Sequence, residues 1–520
     1  MKKTTQMMKV MLASILVLVT GGVGVLFASG QQGSSSTSSG RITPITMLLL
    51  GNKPTNGRAD AAIAEINKIV GPRIGVELRT QYIEWADWQN QYQLALASGD
   101  PNIDLVVTAT DWLYAWELTR KGGFYPLTPE LLQANAPQTW AAIPQSHWDL
   151  CSENGKIWFI PEDQYSQYTN HGMFWRKDWA AAGGLTSVEK FEDLETYWDI
   201  VKKNHPEAYP WDINGAEYLD FGLIGAYFYA KKPVQTIIGA NAGNFGIFQY
   251  NTNDPYTVVS LYMEGNEFLE AARILDRFAK KGFWREDVLN YRGETRNLFL
   301  AGLSGSDQHH TQTYNGLREQ MDKEQPGSEI QMYWWGKELN NVNKDLLTHG
   351  AMAINAASRN VAKALQLYDL LRNDKQIYLL YNYGIEGKDY LVLPDGRFSR
   401  PAGYNSSTDA LDTNFWAGRM DKFEPQWDTW WSGRTAFVEN LNTFAKEYPL
   451  GKFAFDPSKV SAEMSAIGEV CATYIPSIHF GKTSDPDKAV ADFRAALQRA
   501  GYDKVKAELQ AQLTALKNAR

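Results

Sequence analysis

Apolar residues come in short blocks from Ile42 onward, and the spacing within each block predicts the element it forms. Ile45 to Leu50 is a nearly unbroken apolar run closed by Gly51-Asn52-Lys53-Pro54, the pattern of a strand buried on both faces. Ala59 to Val70 repeats at helical spacing through Ala62, Ile63, Ile66, Ile69 and Val70. Val76 to Ile83 reads as a second strand, Asp87 to Ala97 as a helix stopped by Ser98-Gly99-Asp100-Pro101, and Ile103 to Thr108 as a third strand. Strands alternating with helices across short polar breaks predict a parallel α/β sheet wound with helices. Ligands in such sheets sit beyond the C-terminal ends of the strands, which points to Asn52, Trp85, Asp111 and Trp112.

The middle of the chain turns on Gly155 to Gln164, where Ile157-Trp158-Phe159-Ile160 predicts a short buried strand ended by Pro161. The carboxylates and Tyr165 that follow suit a crossing between two lobes. Met173 to Trp175 predicts a strand, Glu189 to Lys203 an amphipathic helix, and Asn266 to Lys281 a helix closed by Gly282. Thr295 to Ala301 predicts a short helix, Gly350 to Ala356 a strand, and Arg359 to Asn373 a helix capped by Ser358. Tyr378 to Glu386 and Asp389 to Leu393 read as a strand pair, and Lys488 to Asn518 as two helices parted at Gly501.

The first thirty residues have the form of a signal peptide: Lys2, Lys3 and Lys9, an apolar run from Val10 to Phe27, then the small residues Ala28-Ser29-Gly30. A Gly/Ser/Gln stretch over 31–41 is expected to be a disordered linker. Export is therefore expected, to a periplasm or cell surface, and no lipobox cysteine stands near the cleavage site. The chain's 520 residues require more than one domain-sized body, and its net charge of −8, with no basic run, argues against nucleic acid as a partner. Its 18 Trp and 26 Tyr suit sugar binding, since flat aromatic faces stack on pyranose rings, although most must be core. Seven histidines without metal-ligand spacing predict no metal site, and no cofactor motif occurs. Whether Cys151 and Cys471 pair is left open by the sequence.

Six segments in order resemble the extracellular solute-binding proteins of ABC importers, in the lipoprotein-LplA-like subgroup. They are Gln93 to Asp100 with the following Ile103 to Val107, Glu117 to Leu127, the Gly155–Pro161 crossover, Trp175 to Gly184, Tyr383 to Tyr390 and Leu497 to Leu513. Trp158 stands where that family's crossover usually carries Tyr. The resemblance implies a two-lobed periplasmic-binding-protein-like fold, a hinged cleft, and delivery of a sugar or oligosaccharide to membrane permease subunits by a monomer.

On this reading lobe 1 spans 42–158 with a return segment near 300–355, and lobe 2 spans 159–299 with 356–520. Asp111 and Trp112 are the leading pair, a carboxylate for vicinal hydroxyls beside an indole for the ring face. Asp163 and Tyr165, Trp175, Asp307, Arg359, and one of Trp334 and Trp335 as a cleft platform complete the ligand-binding set. No catalytic residue is expected. A secreted glycoside hydrolase, or a binder of peptides or another polar solute, is the alternative, because 59 acidic residues always include candidate pairs.

Overall fold

A computed structural model describes residues 42–518, apart from 86–87, 166, 169, 216–221, 244 and 294. The expected signal peptide and linker, and Asp87 at the start of the second predicted helix, lie outside the described residues. In chain order the strands run β1 (Thr43–Leu50), β2 (Val76–Ile83), β3 (Leu105–Thr108), β4 (Ser152–Glu153), β5 (Lys156–Ile157) and β6 (Ile160–Pro161). They continue with β7 (His171–Arg176), β8 (Val234–Thr236), β9 (Gln249–Asn251), β10 (Asp254–Val259), β11 (Ser306–His310), β12 (Ile330–Trp334) and β13 (Ala351–Ile354).

The first sheet has the order β2-β1-β3-β13-β6. β1 is parallel to both β2 and β3, each crossover being a helix, Arg58–Ile74 or Trp88–Ala97, as the alternating pattern predicts. β13 returns antiparallel, with Ala351 opposite Thr108 and Ile354 opposite Leu105. The C-terminal ends of β1 to β3 therefore share one edge with the N-terminal flank of β13. Pro161 is accommodated because β6 is an edge strand, where one missing N–H leaves no ladder bond unmade on its outer side.

A second body is built on the antiparallel sheet β11-β7-β12 and the sheet β10-β9-β8. Here the expected return segment needs correction. Residues 306–310 and 330–334 flank β7 rather than the first sheet, so only 351–354 of the stretch near 300–355 enters that sheet as a strand. Gly172 in β7 lets the neighbours close in, since a Cβ there would lie 2.5 Å from the Tyr333 carbonyl oxygen.

Each body has its own hydrophobic core, and this makes the fold two-lobed. The first gathers Leu48, Val106 and Met352 with Leu365, Leu371 and Ile377 from helices Val361–Asn373 and Lys375–Tyr383, so residues 361–383, expected in lobe 2, pack in the first body instead. The second gathers Met173, Trp198, Trp211 and Phe278 with Ile467, Phe493 and Leu513 from the three C-terminal helices. Residues 375–383 are thus helical where the sequence pattern favours a strand; Asp374 caps that helix by accepting from the Gln376 and Ile377 amides. Cys151 sits in the first core and Cys471 in the second, both as free buried thiols. Among the described residues no helix is long and apolar enough to cross a membrane.

Candidate functional site

The edge formed by the ends of β1 to β3 carries the residues singled out there. β3 ends at Thr108, and the loop beyond it presents Asp111 and Trp112, both half-buried. The same edge receives His349 from the segment entering β13. Its Nδ1 lies 2.6 Å from Asp111 Oδ2 and 3.7 Å from Asp345 Oδ2, while its backbone carbonyl accepts a 3.0 Å hydrogen bond from Trp112 Nε1. Burial alone would push the His349 imidazole down, but the two carboxylates outweigh it and hold its pKa up at about 10. Burial and Asp111 together raise Asp345, and the His349 charge opposes them. These three residues bring ligand atoms within 4.8 Å of one another, a spacing that could hold a small cation; the protonated imidazole supplies the positive charge there.

Asp111, Trp112, Asp345 and His349 form one wall of a cavity of about 340 Å³. The facing wall comes from the second body: His171 on β7, His310 at the end of β11, Thr236 on β8, Tyr229, and Asn343 and Tyr448. His171 and His310 are held in the neutral form, chiefly by burial, with His310 pushed down to about 4. His310 Nδ1 accepts from the Thr313 amide at 3.3 Å, so its ring proton resides on Nε2. Asp111 Oδ1 is buried with no hydrogen-bond partner among the described residues.

Beside the cavity the edge is aromatic. Trp85, Trp88, Trp112 and Trp416 form one cluster, with ring centroids 5.7 Å apart for Trp85–Trp416 and for Trp112–Trp416, and 5.5 Å for Trp88–Trp112. Trp85 remains 43% exposed, high for so large an apolar side chain. Asn52 lies at the same edge, accepting from the Trp85 amide at 3.4 Å. Four of the residues expected from the sequence, Asn52, Trp85, Asp111 and Trp112, are thereby brought together.

The others are placed elsewhere. Asp163 is fully buried in an ion pair with the equally buried Arg372, and its second oxygen meets His147 at 3.2 Å, so it braces the first body. Tyr165 packs under the Arg419 guanidinium at 4.0 Å, and Arg419 in turn binds Glu162 at 2.6 and 2.8 Å. Trp175 is core, edge-on to Tyr197 at 5.8 Å. Asp307 is buried against Arg296 at 2.8 Å. Trp334 and Trp335 are both buried, because the β11-β7-β12 sheet is covered on each face: Trp335 enters the second body's core and Trp334 a smaller cluster with Phe174, Tyr314 and Met332. Arg359 is exposed beyond the end of β13 that pairs with Leu105, at the edge opposite Asp111.

His349, Asp345, His171, His310, Tyr229, Tyr448 and Trp416 were not singled out from the sequence. His349 had a readable signal, a polar residue directly before a strand. Using it requires knowing that this strand runs antiparallel to β3.

Comparison with known proteins bears on the fold. The family model described as a domain of unknown function (DUF3502) matches residues 449–518. A curated relative from Streptococcus pneumoniae serotype 4, a carbohydrate ABC transporter substrate-binding protein, is 25% identical over 521 residues, covering 96% of each chain. The crystal structure of the N-glycan transport solute binding protein NgtS from Streptococcus pneumoniae superposes with a TM-score of 0.73 at 21% identity, over 92% of this chain and all of that one. The S. pneumoniae ABC-transporter substrate binding protein FusA in complex with kestose gives 0.64 at 13% identity, over 92% of this chain and 100% of its own. The chain has the two-lobed fold of these solute-binding proteins.

Proposed function

We propose that this protein is the substrate-binding component of an ABC import system, capturing an oligosaccharide between its lobes and presenting it to a membrane permease. The observation that carries this reading is the pairing, on one cavity wall, of the Asp111 carboxylate with the indole of Trp112. A pyranose supplies both complements, hydroxyl donors for the carboxylate and an axial C–H face for the ring. Neutral His310, with its proton on Nε2, and Tyr229 and Asn343 on the facing wall give a bound sugar polar neighbours from the second body. Ligand contacts made from both walls at once would favour the closed state of the lobes, because only there are both sets available. The named relatives support the reading: NgtS was crystallised with Man5GlcNAc, and FusA with kestose. We further infer export ahead of capture, which places the cleft outside the cytoplasmic membrane.

The test is a thermal-shift and calorimetric screen against neutral mono- and oligosaccharides, Man1GlcNAc and Man5GlcNAc among them, with chromogenic glycosides assayed alongside. Ligand at 100 times its Kd should stabilise the native state by about 2.7 kcal/mol. A selective shift without turnover supports the proposal. Hydrolysis of a glycoside, or shifts produced by peptides while every sugar is silent, overturns it.

A further inference from the structure

A second cavity, of about 300 Å³, lies next to the first along the same sheet edge and is lined by Asn382, Tyr383, Arg400, Tyr404, Trp416 and Arg419 among others. The two are linked directly. Trp416 on the rim of the second cavity is 5.7 Å from Trp112 on the wall of the first. Arg419 in the second donates at 3.3 Å to Gln167 Oε1, whose residue lines the first. From this arrangement, and resting on the sugar-binding reading above, we propose that the second cavity is a distal subsite. It would receive the further residues of an oligosaccharide whose first residues fill the cleft, with the exposed face of Trp85 and the Trp112–Trp416 pair as the platform between them.

The chemistry of the second cavity fits a sugar rather than a peptide or a lipid. It brings the Trp416 and Tyr404 rings together with an amide, phenols, guanidinium groups and the Asp412 and Glu424 carboxylates, a mixture of apolar surface, donors and acceptors that pyranose residues satisfy. Arg400 is held in place by stacking, 4.4 Å from the Tyr404 ring and 4.2 Å from Trp427, and one of its N–H groups donates to the Asp389 carbonyl at 2.8 Å. The Asp389 carboxylate acts on it electrostatically, and the Asp412 and Glu424 carboxylates line the same cavity.

The loop that builds this wall is held in strained backbone. Asp412 and Asn414 adopt φ of 42° and 50°, in the left-handed region, and Asn414 Nδ2 donates to the Leu50 carbonyl at 2.9 Å to tie the loop to the end of β1. Gly51 is required beneath it: its φ is 129°, and a Cβ there would lie 1.8 Å from Asn414 Nδ2. The strained loop and the glycine together seat Trp416 against Trp85 and Trp112.

The experiment is calorimetric titration of the wild-type chain and of Tyr404→Ala with size-fractionated ladders of neutral oligosaccharides from mannan, starch and chitin hydrolysates, from monomer upward. Where a ladder binds, affinity should rise at least tenfold once the chain is long enough to pass Trp416. Tyr404→Ala should erase that rise and leave the shortest binding member within twofold of wild type. Asn382→Ala, which removes an amide of the same cavity that also donates to the Tyr378 carbonyl at 3.0 Å, serves the same purpose if the tyrosine variant does not fold. Affinity independent of length, or an equal loss for short and long sugars in the variant, overturns the subsite and leaves the cleft reading standing. Failure of every ladder to bind overturns both.

Discussion

Replacing Asp111 with asparagine should flatten the protein's loss of stability at alkaline pH. The imidazolium of His349 lies 2.6 Å from one carboxylate and 3.7 Å from another, and its pKa is held at about 10 against an ordinary value near 6.5. At 1.36 kcal/mol per unit the full displacement corresponds to about 5 kcal/mol. The His349 side chain is 31% exposed, so solvent screening reduces the contribution to roughly 2 kcal/mol. Because the folded value lies above the unfolded one, the contribution is complete below about pH 6.5 and is lost as pH rises toward 10. Burial lowers His171 and His310, which therefore act in the opposite sense and only as pH falls below about 6.5, outside this window. Urea unfolding at half-unit steps from pH 6.5 to 9.5 measures the effect. Wild type should lose roughly 2 kcal/mol across the range, Asp111→Asn half of that or less, and Asp111→Asn with Asp345→Asn almost none of it. A wild-type profile that is flat, or a decline of equal slope in all three proteins, would refute the assigned network.

Other expectations follow from the same geometry. Trp112→Ala should weaken sugar binding roughly tenfold in calorimetry, about 1.4 kcal/mol, while the apo protein keeps its cooperative melt; unchanged affinity in the folded variant would remove Trp112 from the site. Asp163→Ala should cost about 3–5 kcal/mol of stability by leaving Arg372 buried without its partner, and an apolar replacement of both residues should recover most of that in urea titrations. A thiol reagent should modify neither Cys151 nor Cys471 in the native protein and both after denaturation, and reductant should leave the melting temperature unchanged.

The sequence by itself determined the elements whose signal is local. β1, β2, β3 and the helices Arg58–Ile74, Glu267–Lys280, Pro486–Arg499 and Tyr502–Asn518 follow from apolar period and stop signals carried within each segment. The ends of the parallel strands then pointed to Asn52, Trp85, Asp111 and Trp112 without further information. Tertiary structure alone decided what each polar or aromatic residue faces. Asp163 lies 209 positions before Arg372, and Asp111 lies 238 before His349, so one carboxylate became a buried brace and the other a cavity wall through partners that no local pattern names. Trp334 and Trp335 were expected to divide between core and cleft, as alternation on a half-covered strand requires. Both are buried because the sheet they enter is covered on its two faces by segments far away in the chain. Local propensity and period act over a few residues, whereas burial and charge pairing are set by whatever the folded chain brings alongside, and the second cannot be computed from the first.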